Sequence, residues 1–204
     1  MDGFIKTDLS KLSEPRARTI FYQEVLTLIE KQPLKAIVNN AAVQILAPIS
    51  RITPEDWIQT LSVNLLAPFY VGQMFLSELN NSSGSIINIA SIHSSLTKPG
   101  FVTYATSKAA LEGLTRSMAI ELGPKIRVNA ISPAAIRTAM LEEGFRKKPE
   151  KLKELGAFHP SGRIAEPDEI ARLACFMSSD QCSFLTGSVI AAHGGIGNRL
   201  HDPD

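Results

Sequence analysis

The stretch from residue 84 to residue 122 constrains the fold most, because it joins a buried strand to a long helix. The apolar run Ile86-Ile87-Asn88-Ile89-Ala90 has the length of a strand, and Ser91 closes it. A helix of small and apolar residues follows, and Gly123-Pro124 ends it. A strand that is apolar along its whole length is typical of a parallel sheet that is covered on both faces.

The rest of the chain repeats this alternation of strands and helices. The helix that begins at Thr53-Pro54 is expected to run to about Asn80, with a bend at Pro68. Residues 132–163 are expected to form a long polar loop, of the kind that often serves as a lid. Further strands are predicted at residues 3–8, 34–38, 126–131 and 189–192, and further helices from Pro15 and Pro167. The pattern predicts an α/β fold with a doubly wound parallel sheet, in one domain over residues 1–204.

Composition and charge exclude several classes of protein. The chain has 204 residues, 44% of them hydrophobic, and a formal net charge of +1, which argues against disorder and against a polyanion partner. Cys175 and Cys182 form no metal-ligand set with the four histidines, and Cys175 is expected in the core. No apolar run is long enough for a bilayer, and the N-terminus has no signal-peptide pattern. We therefore expect a cytoplasmic protein without a metal, nucleic-acid or membrane partner.

Tyr104 and Lys108 lie four residues apart near the start of the long helix, so their side chains share one face. An ordinary tyrosine has a pKa of about 10. A nearby positive charge lowers that pKa, and acid/base catalysis works best when the pKa is near the working pH. Such a pair occurs by chance in many helices, but small residues surround this one and leave room for a ligand. Ser91, at the end of the preceding strand, is placed to hydrogen-bond the same reacting oxygen.

Further motifs follow one another along nearly the whole chain, from about residue 5 to residue 195. They are Asn39-Asn40-Ala41-Ala42 after a strand, Asn64 in SVNLLAPF, Ser91, the Tyr104 and Lys108 pair, the segment from Pro133 to Thr138, and the run from Gly162 to Gly195. In this order they resemble the short-chain dehydrogenase/reductase family. The resemblance implies a Rossmann-like sheet. It also implies hydride transfer between NAD or NADP and a carbonyl or alcohol substrate.

The resemblance also implies a role for each matching residue. Tyr104 would exchange a proton with the substrate oxygen, and Ser91 would hydrogen-bond that oxygen. Lys108 would lower the pKa of Tyr104 and hold the nicotinamide ribose. Asn64 would position the water that links Lys108 to solvent.

Cofactor contacts are implied at the ends of several strands. Asp8 would lie near the adenine, and Asn39 and Ala41 near the adenine ribose. Ile136 and Thr138, which follow Pro133 of the same motif, would lie near the nicotinamide amide. Tyr104 and Lys108 complete the implied set.

One family feature is absent from this sequence. Family members begin with a strand and a glycine-rich turn that seats the cofactor pyrophosphate on a helix N-terminus. The 204 residues contain no G-x-x-x-G-x-G motif. We therefore expect the first βαβ unit, and with it the first two strands, to be missing, which puts dinucleotide binding by this chain in doubt. Smaller departures are Ala42 and Ala134 at glycine positions of the family and His193 at a position that is usually Asp.

Without the first two strands, Ile37-Val38 would form an open sheet edge. Three accounts of this edge are possible. The sequence is a fragment or a mis-started gene product, which we favour; or Phe4-Ile5 pairs directly with Ile37-Val38; or a partner fills the gap.

Two functions remain open. The first is an oxidoreductase with Tyr104 as its acid/base. The second is a catalytically inactive, truncated relative that acts as an interaction partner through the helices of Asn64 and Tyr104, with Leu111, Leu114 and Met118 as candidate contact residues. The family resemblance implies a homo-oligomer, a dimer or tetramer, formed through the same helices. Residues 137–160 would form the substrate pocket, and His93 faces either the substrate or the solvent.

Overall fold

Four parallel strands form the sheet of this protein, in the order β1-β2-β3-β4. In the computed structural model, residues 3–30 and 32–200 are described. The strands are β1 (Ala36–Asn39), β2 (Ser85–Ile89), β3 (Arg127–Pro133) and β4 (Val189–Ala192). Every neighbouring pair is parallel, so the predicted parallel α/β sheet is confirmed.

Helices cover both faces of this sheet. They are α1 (Pro15–Ile29), α2 (Pro54–Leu61), α3 (Ala67–Met74), α4 (Leu76–Ser82), α5 (Val102–Leu122), α6 (Ala139–Phe145), α7 (Pro149–Phe158) and α8 (Pro167–Ser178). Among residues 3–30 and 32–200, no helix is long and apolar enough to cross a membrane.

The core has two parts because successive strand residues point to opposite faces. On one face, Ile37, Ile86 and Val128 pack with residues of α3, α4 and α5, and α1 adds partly buried side chains. On the other face, Ile87 and Ile131 pack with Ala174 and Met177 of α8. The full burial of β2 explains why its sequence is apolar at both even and odd positions.

The predicted long helix after Thr53 is interrupted twice. Its start is as expected, because Thr53 and Asp56 form a reciprocal capping box ahead of α2. Residues Ser62–Leu66 then form a π-helical turn around Asn64, before rather than at the proline. A second break at Phe75 separates α3 from α4. The expected bend at Pro68 is therefore wrong in position. The irregular turn ends two residues earlier and contains Asn64.

The predicted strand at residues 3–8 is absent. Asp8 instead caps a short 3₁₀ turn, Leu9–Lys11, by accepting a hydrogen bond from the backbone N–H of Ser10. Phe4-Ile5 therefore does not pair with Ile37-Val38, and that account of the sheet edge is wrong. In the described part of the chain β1 pairs with β2 alone, and the side chain of Val38 is 47% exposed.

Two further expectations need correction. Residues 132–163 are not a continuous loop, because β3 extends to Pro133 and the segment then contains α6 and α7. Cys175 lies on the exposed side of α8 rather than in the core.

Arg127 fastens the end of α8 to the first residue of β3. Its guanidinium donates hydrogen bonds to the carbonyl oxygens of Met177, Ser178 and Ser179, at 2.8–3.1 Å. These carbonyls belong to the last turn of the helix, where backbone oxygens have no helical partner and the helix dipole favours a cation.

Arg127→Met should therefore lower the free energy of unfolding by about 2–3 kcal/mol, since several carbonyls lose a charged donor. Urea unfolding followed by circular dichroism measures this. Arg116→Met, at an exposed position of α5, is the matched control and should change stability by less than about 0.5 kcal/mol. Equal effects of the two substitutions would contradict the role given to Arg127.

Candidate active site

The predicted catalytic side chains meet where β2 ends and α5 begins. Ser91 follows β2, and Tyr104 and Lys108 lie in the first two turns of α5. Ser91 is 7% exposed and Lys108 is 2% exposed. This is the carboxyl edge of the parallel sheet, which is where open α/β sheets bind ligands.

The Lys108 ammonium is buried beside the end of β2. Its Nζ donates a hydrogen bond of 2.6 Å to the carbonyl oxygen of Ile89 and lies 5.7 Å from the centre of the Tyr104 ring. Burial lowers the pKa of Lys108 from 10.5 to about 8, because removal from water disfavours the charged form. At neutral pH the lysine therefore remains a cation, without a carboxylate partner among the described residues.

The pKa of Tyr104 lies above its usual value in this structure. Burial of the phenol raises the pKa, and the nearby Ser91 hydroxyl acts in the opposite direction with a smaller effect. Burial dominates the environment of the phenol, and the Lys108 ammonium is directed at the Ile89 carbonyl. The lowering of the Tyr104 pKa by Lys108 stays a prediction.

Ser91 is held by the turn that follows it. Its Oγ accepts a hydrogen bond of 3.2 Å from the backbone N–H of His93, which caps the short 3₁₀ turn Ile92–Ser94. The backbone of Ser91 is extended, so its side chain leaves the strand at the start of this turn. The hydroxyl hydrogen of Ser91 remains able to donate.

His93 and Phe101 form an aromatic wall against Tyr104. The His93 ring stacks on Phe101 with centroids 4.2 Å apart and meets the Tyr104 ring edge-on at 5.9 Å. Burial lowers the pKa of His93, and the positive charge of Lys98 adds to the effect. His93 is thus half-buried rather than fully solvated. Phe101 was not predicted as a site residue, and its position three residues before Tyr104 was the available signal.

Asn64 is buried and all of its amide hydrogens are used. Its Oδ1 accepts from the backbone N–H of Val43 at 2.8 Å, and its Nδ2 donates to the Val43 carbonyl at 2.9 Å and to Ser107 Oγ at 3.0 Å. Ser107 in turn donates to the carbonyl oxygen of Tyr104. These bonds satisfy the amide, as the burial of a polar side chain requires. Ser107, which links Asn64 to the helix of Tyr104, was missed.

Asn39 takes part in a buried polar chain across the sheet. Its Nδ2 donates to Asn88 Oδ1 at 2.8 Å, and Asn88 Nδ2 donates to Thr115 Oγ1 of α5 at 2.9 Å. The side chain of Asn39 therefore serves the structure at the end of β1. Ala41, two residues further on, is exposed.

The other residues predicted for the cofactor lie on separate elements. Pro133 is buried at the end of β3, and Ile136 forms an isolated parallel bridge with Ala165. Thr138 is exposed and caps α6 through its hydroxyl. Asp8 is exposed at the N-terminal turn, where hydrogen bonds from Ser10 hold its pKa below the usual value. No hydrogen bond in the described part of the chain joins Asp8 to the Tyr104 cluster.

Comparison with known proteins decides the family. Residues 22–197 match the family model described as Enoyl-(Acyl carrier protein) reductase. The chain belongs to the short-chain dehydrogenase/reductase family. It is 39% identical over 166 residues to 3-oxoacyl-[acyl-carrier-protein] reductase FabG of Thermotoga maritima. That alignment covers 80% of this chain and 66% of the relative, just under two thirds of its length.

Solved structures of two dehydrogenases share the fold. Thermoplasma acidophilum aldohexose dehydrogenase in ligand-free form matches with a TM-score of 0.89 and 27% identity, over 98% of this chain and 81% of that one. A gluconate 5-dehydrogenase from Burkholderia cenocepacia in complex with NADP and tartrate matches with a TM-score of 0.83 and 27% identity. That match covers 93% of this chain and 74% of the other.

The buried Lys108 predicts a particular pH dependence of stability. The folded-state pKa of Lys108, about 8, lies below the ordinary lysine value of 10.5, so between these pH values the unfolded chain binds more protons. Stability then rises with pH across that interval. Relative to Lys108→Met, the wild-type free energy of unfolding should increase by roughly 3 kcal/mol between about pH 7 and pH 11.

Urea unfolding of both proteins across this pH range is the measurement. Lys125→Met removes an exposed lysine and should keep the pH dependence of the wild type. A constant difference between wild type and Lys108→Met would show that the ammonium is not desolvated.

Removal of the Asn64 amide should lower the free energy of unfolding strongly. Asn64→Leu leaves the Val43 N–H, the Val43 carbonyl and the Ser107 hydroxyl short of partners, and should cost about 2–5 kcal/mol. Thr60→Val is the matched control, because the Thr60 hydroxyl is buried in the preceding turn without a partner among the described residues. That substitution should be neutral or stabilising. Similar losses in both variants would contradict the bridging role of Asn64.

Proposed function

We propose that this protein is a short-chain dehydrogenase/reductase that transfers hydride between NAD(P)(H) and a carbonyl or alcohol substrate, with Tyr104 as the acid/base. The observation that carries the proposal is the cluster formed by the buried Ser91 and Lys108 with the partly buried Tyr104 at the carboxyl edge of the sheet. The family membership and the NADP bound in a related solved structure support it.

The residues present fit the nicotinamide end of such a cofactor. Lys108 Nζ carries three hydrogens, and the Ile89 carbonyl is the one hydrogen-bond acceptor it has among the described residues. Two donors of a desolvated ammonium therefore remain for the ribose hydroxyls. A phosphate-binding glycine-rich turn is not part of the 204 residues, so this sequence supplies fewer contacts to the pyrophosphate. When bound, the cofactor gives or accepts the hydride.

The side chains divide the proton chemistry between them. In reduction, the Tyr104 phenol donates its proton to the carbonyl oxygen of the substrate, while Ser91 donates a hydrogen bond to the same oxygen. The raised pKa of Tyr104 keeps the phenol protonated at neutral pH, which suits a proton donor. The ammonium of Lys108, 5.7 Å from the ring centre, stabilises the phenolate that forms. Asn64 has one lone pair of Oδ1 left for a water that returns the proton.

We also propose a homo-oligomer that forms through the helices of Asn64 and Tyr104. Three large apolar side chains are exposed on α2, the π-helical turn and α5. They are Ile58 (66% exposed), Leu66 (37%) and Ile120 (87%). The earlier candidates for this surface are core residues, since Leu111 is 1% exposed, Met118 is 8% exposed and Leu114 packs against the core. The interaction-only hypothesis therefore loses its three candidate contact residues.

Tyr104→Phe tests the proposed reaction. The purified protein is assayed for oxidation of NADH and NADPH with a panel of aldehydes and ketones. The variant should lose roughly 100-fold or more of the turnover, because it lacks the proton donor. Tyr70→Phe, which keeps the ring beneath the Arg18 guanidinium, should retain full turnover. An unchanged rate in Tyr104→Phe, or no turnover by the wild type with either cofactor, would contradict the proposal.

A further inference from the structure

Glu112 is a partly buried carboxylate of α5, and it follows Lys108 by four residues on the same side of the helix. In the described part of the chain no lysine or arginine forms a salt bridge with it. The Lys108 ammonium donates to the Ile89 carbonyl instead. The side chain that does bond to Glu112 is Ser94, whose hydroxyl donates to Oε1. A carboxylate near the catalytic lysine thus serves one serine hydroxyl rather than a cation.

Ser94 ends the 3₁₀ turn Ile92–Ser94, and this turn carries the backbone N–H that holds Ser91. That N–H belongs to His93 and donates to Ser91 Oγ at 3.2 Å. The backbone N–H of Ser94 donates to the Ser91 carbonyl oxygen at 2.9 Å. Ser91 and Ser94 are therefore the two ends of one hydrogen-bonded turn, and a displacement of Ser94 also displaces the donor to Ser91 Oγ.

The bond from Ser94 to Glu112 ties this turn to α5. The other hydrogen bonds of the residue 92–95 side chains in the described part of the chain stay within the loop, as does the contact of 3.0 Å between His93 Nδ1 and Thr97 Oγ1. The aromatic contacts of His93 also reach α5, but they lack the directionality of a hydrogen bond to a carboxylate. Glu112 therefore sets the position of the turn relative to the helix that carries the acid/base.

The Ser91 hydroxyl has to point in one direction if it is to hold a substrate oxygen. Its oxygen accepts from the His93 N–H, which leaves the hydroxyl hydrogen for the substrate. Ser91 lies at the end of a strand and Tyr104 lies on a helix, so both reach the same oxygen only when the turn is correctly placed on α5. A misplacement of about 1 Å in such an arrangement can cost about 100-fold in rate.

We propose that Glu112 is a positioning residue, which holds the Ile92–Ser94 turn so that the Ser91 hydroxyl points at the substrate oxygen. Glu112 itself contacts neither the substrate nor the cofactor and acts through Ser91. This role rests on the proposed function, because Ser91 meets a substrate oxygen in that reaction.

The kinetics of carbonyl reduction test the role, with the aldehyde or ketone of the panel that the wild type reduces fastest. Glu112→Ala should lower kcat about tenfold and leave KM for the cofactor unchanged. Glu112→Gln keeps a hydrogen-bond acceptor and should stay within about threefold of the wild-type kcat. Glu121→Ala removes an exposed carboxylate of the same helix and is the matched control, with an unchanged kcat.

A Ser91→Ala background separates positioning from a general structural effect. Glu112→Ala should lower kcat by less than about twofold further in that background, because the hydroxyl that Glu112 positions is gone. A merely structural role would give the full loss there as well. The full loss in the double variant, or equal losses in Glu112→Gln and Glu112→Ala, would overturn the inference.

Amide hydrogen exchange of His93, followed by NMR, tests the same role without a substrate. Exchange of the His93 amide should become about tenfold faster in Glu112→Ala and in Ser94→Ala, and it should not change in Glu121→Ala. An unchanged exchange rate in Glu112→Ala would overturn the inference. Faster exchange in a chain that reduces no carbonyl would support the positioning of Ser91 and would contradict the proposed function alone.

Discussion

The buried ammonium of Lys108 is the group on which the rest of the site depends. A cation 2% exposed to solvent needs a strong acceptor, and the Ile89 carbonyl at the end of β2 provides one at 2.6 Å. That bond fixes α5 against the strand that leads to Ser91. Burial lowers the pKa of Lys108 and raises the pKa of Tyr104, so the two pKa values move apart. The result is a protonated phenol beside a cation at neutral pH.

Buried polar side chains join this site to the sheet. Asn39, Asn88 and Thr115 form one chain of hydrogen bonds from β1 to α5, and Asn64 ties the loop after β1 to Ser107. Each of these contacts satisfies a group that would be costly to bury alone. The π-helical turn at Ser62–Leu66 contains Asn64, and there the Asn64 amide contacts both Val43 and Ser107. Such turns are frequent at functional sites.

Much of this architecture could be predicted from the sequence, but only where a local pattern carries the information. The apolar runs at Ile86 and Val189 predicted strands, and Pro167 predicted the start of α8. Residues 3–8 have strand composition, yet without a paired neighbour they form no ladder. Cys175 is apolar in type but lies on the outer face of α8, which composition alone does not show.

The part of the candidate site that could be predicted also rests on a local sequence pattern. The spacing of Tyr104 and Lys108 placed them on one helix face, and this holds in the structure. The direction of the Tyr104 pKa shift was not predictable, because it depends on burial by elements distant in sequence. The Asn39–Asn88 bond likewise depends on a tertiary contact, because the two residues lie 49 positions apart in the sequence.

The most direct test of this account is saturation-transfer NMR of the purified chain with NADH and with NADPH. The residues present offer contacts to the nicotinamide and its ribose, whereas the sequence lacks the glycine-rich turn for the pyrophosphate. The account predicts that the nicotinamide and adjoining ribose protons receive the strongest saturation, and that Lys108→Met abolishes it. Strongest saturation at the adenine protons, or none in a folded chain, would contradict it.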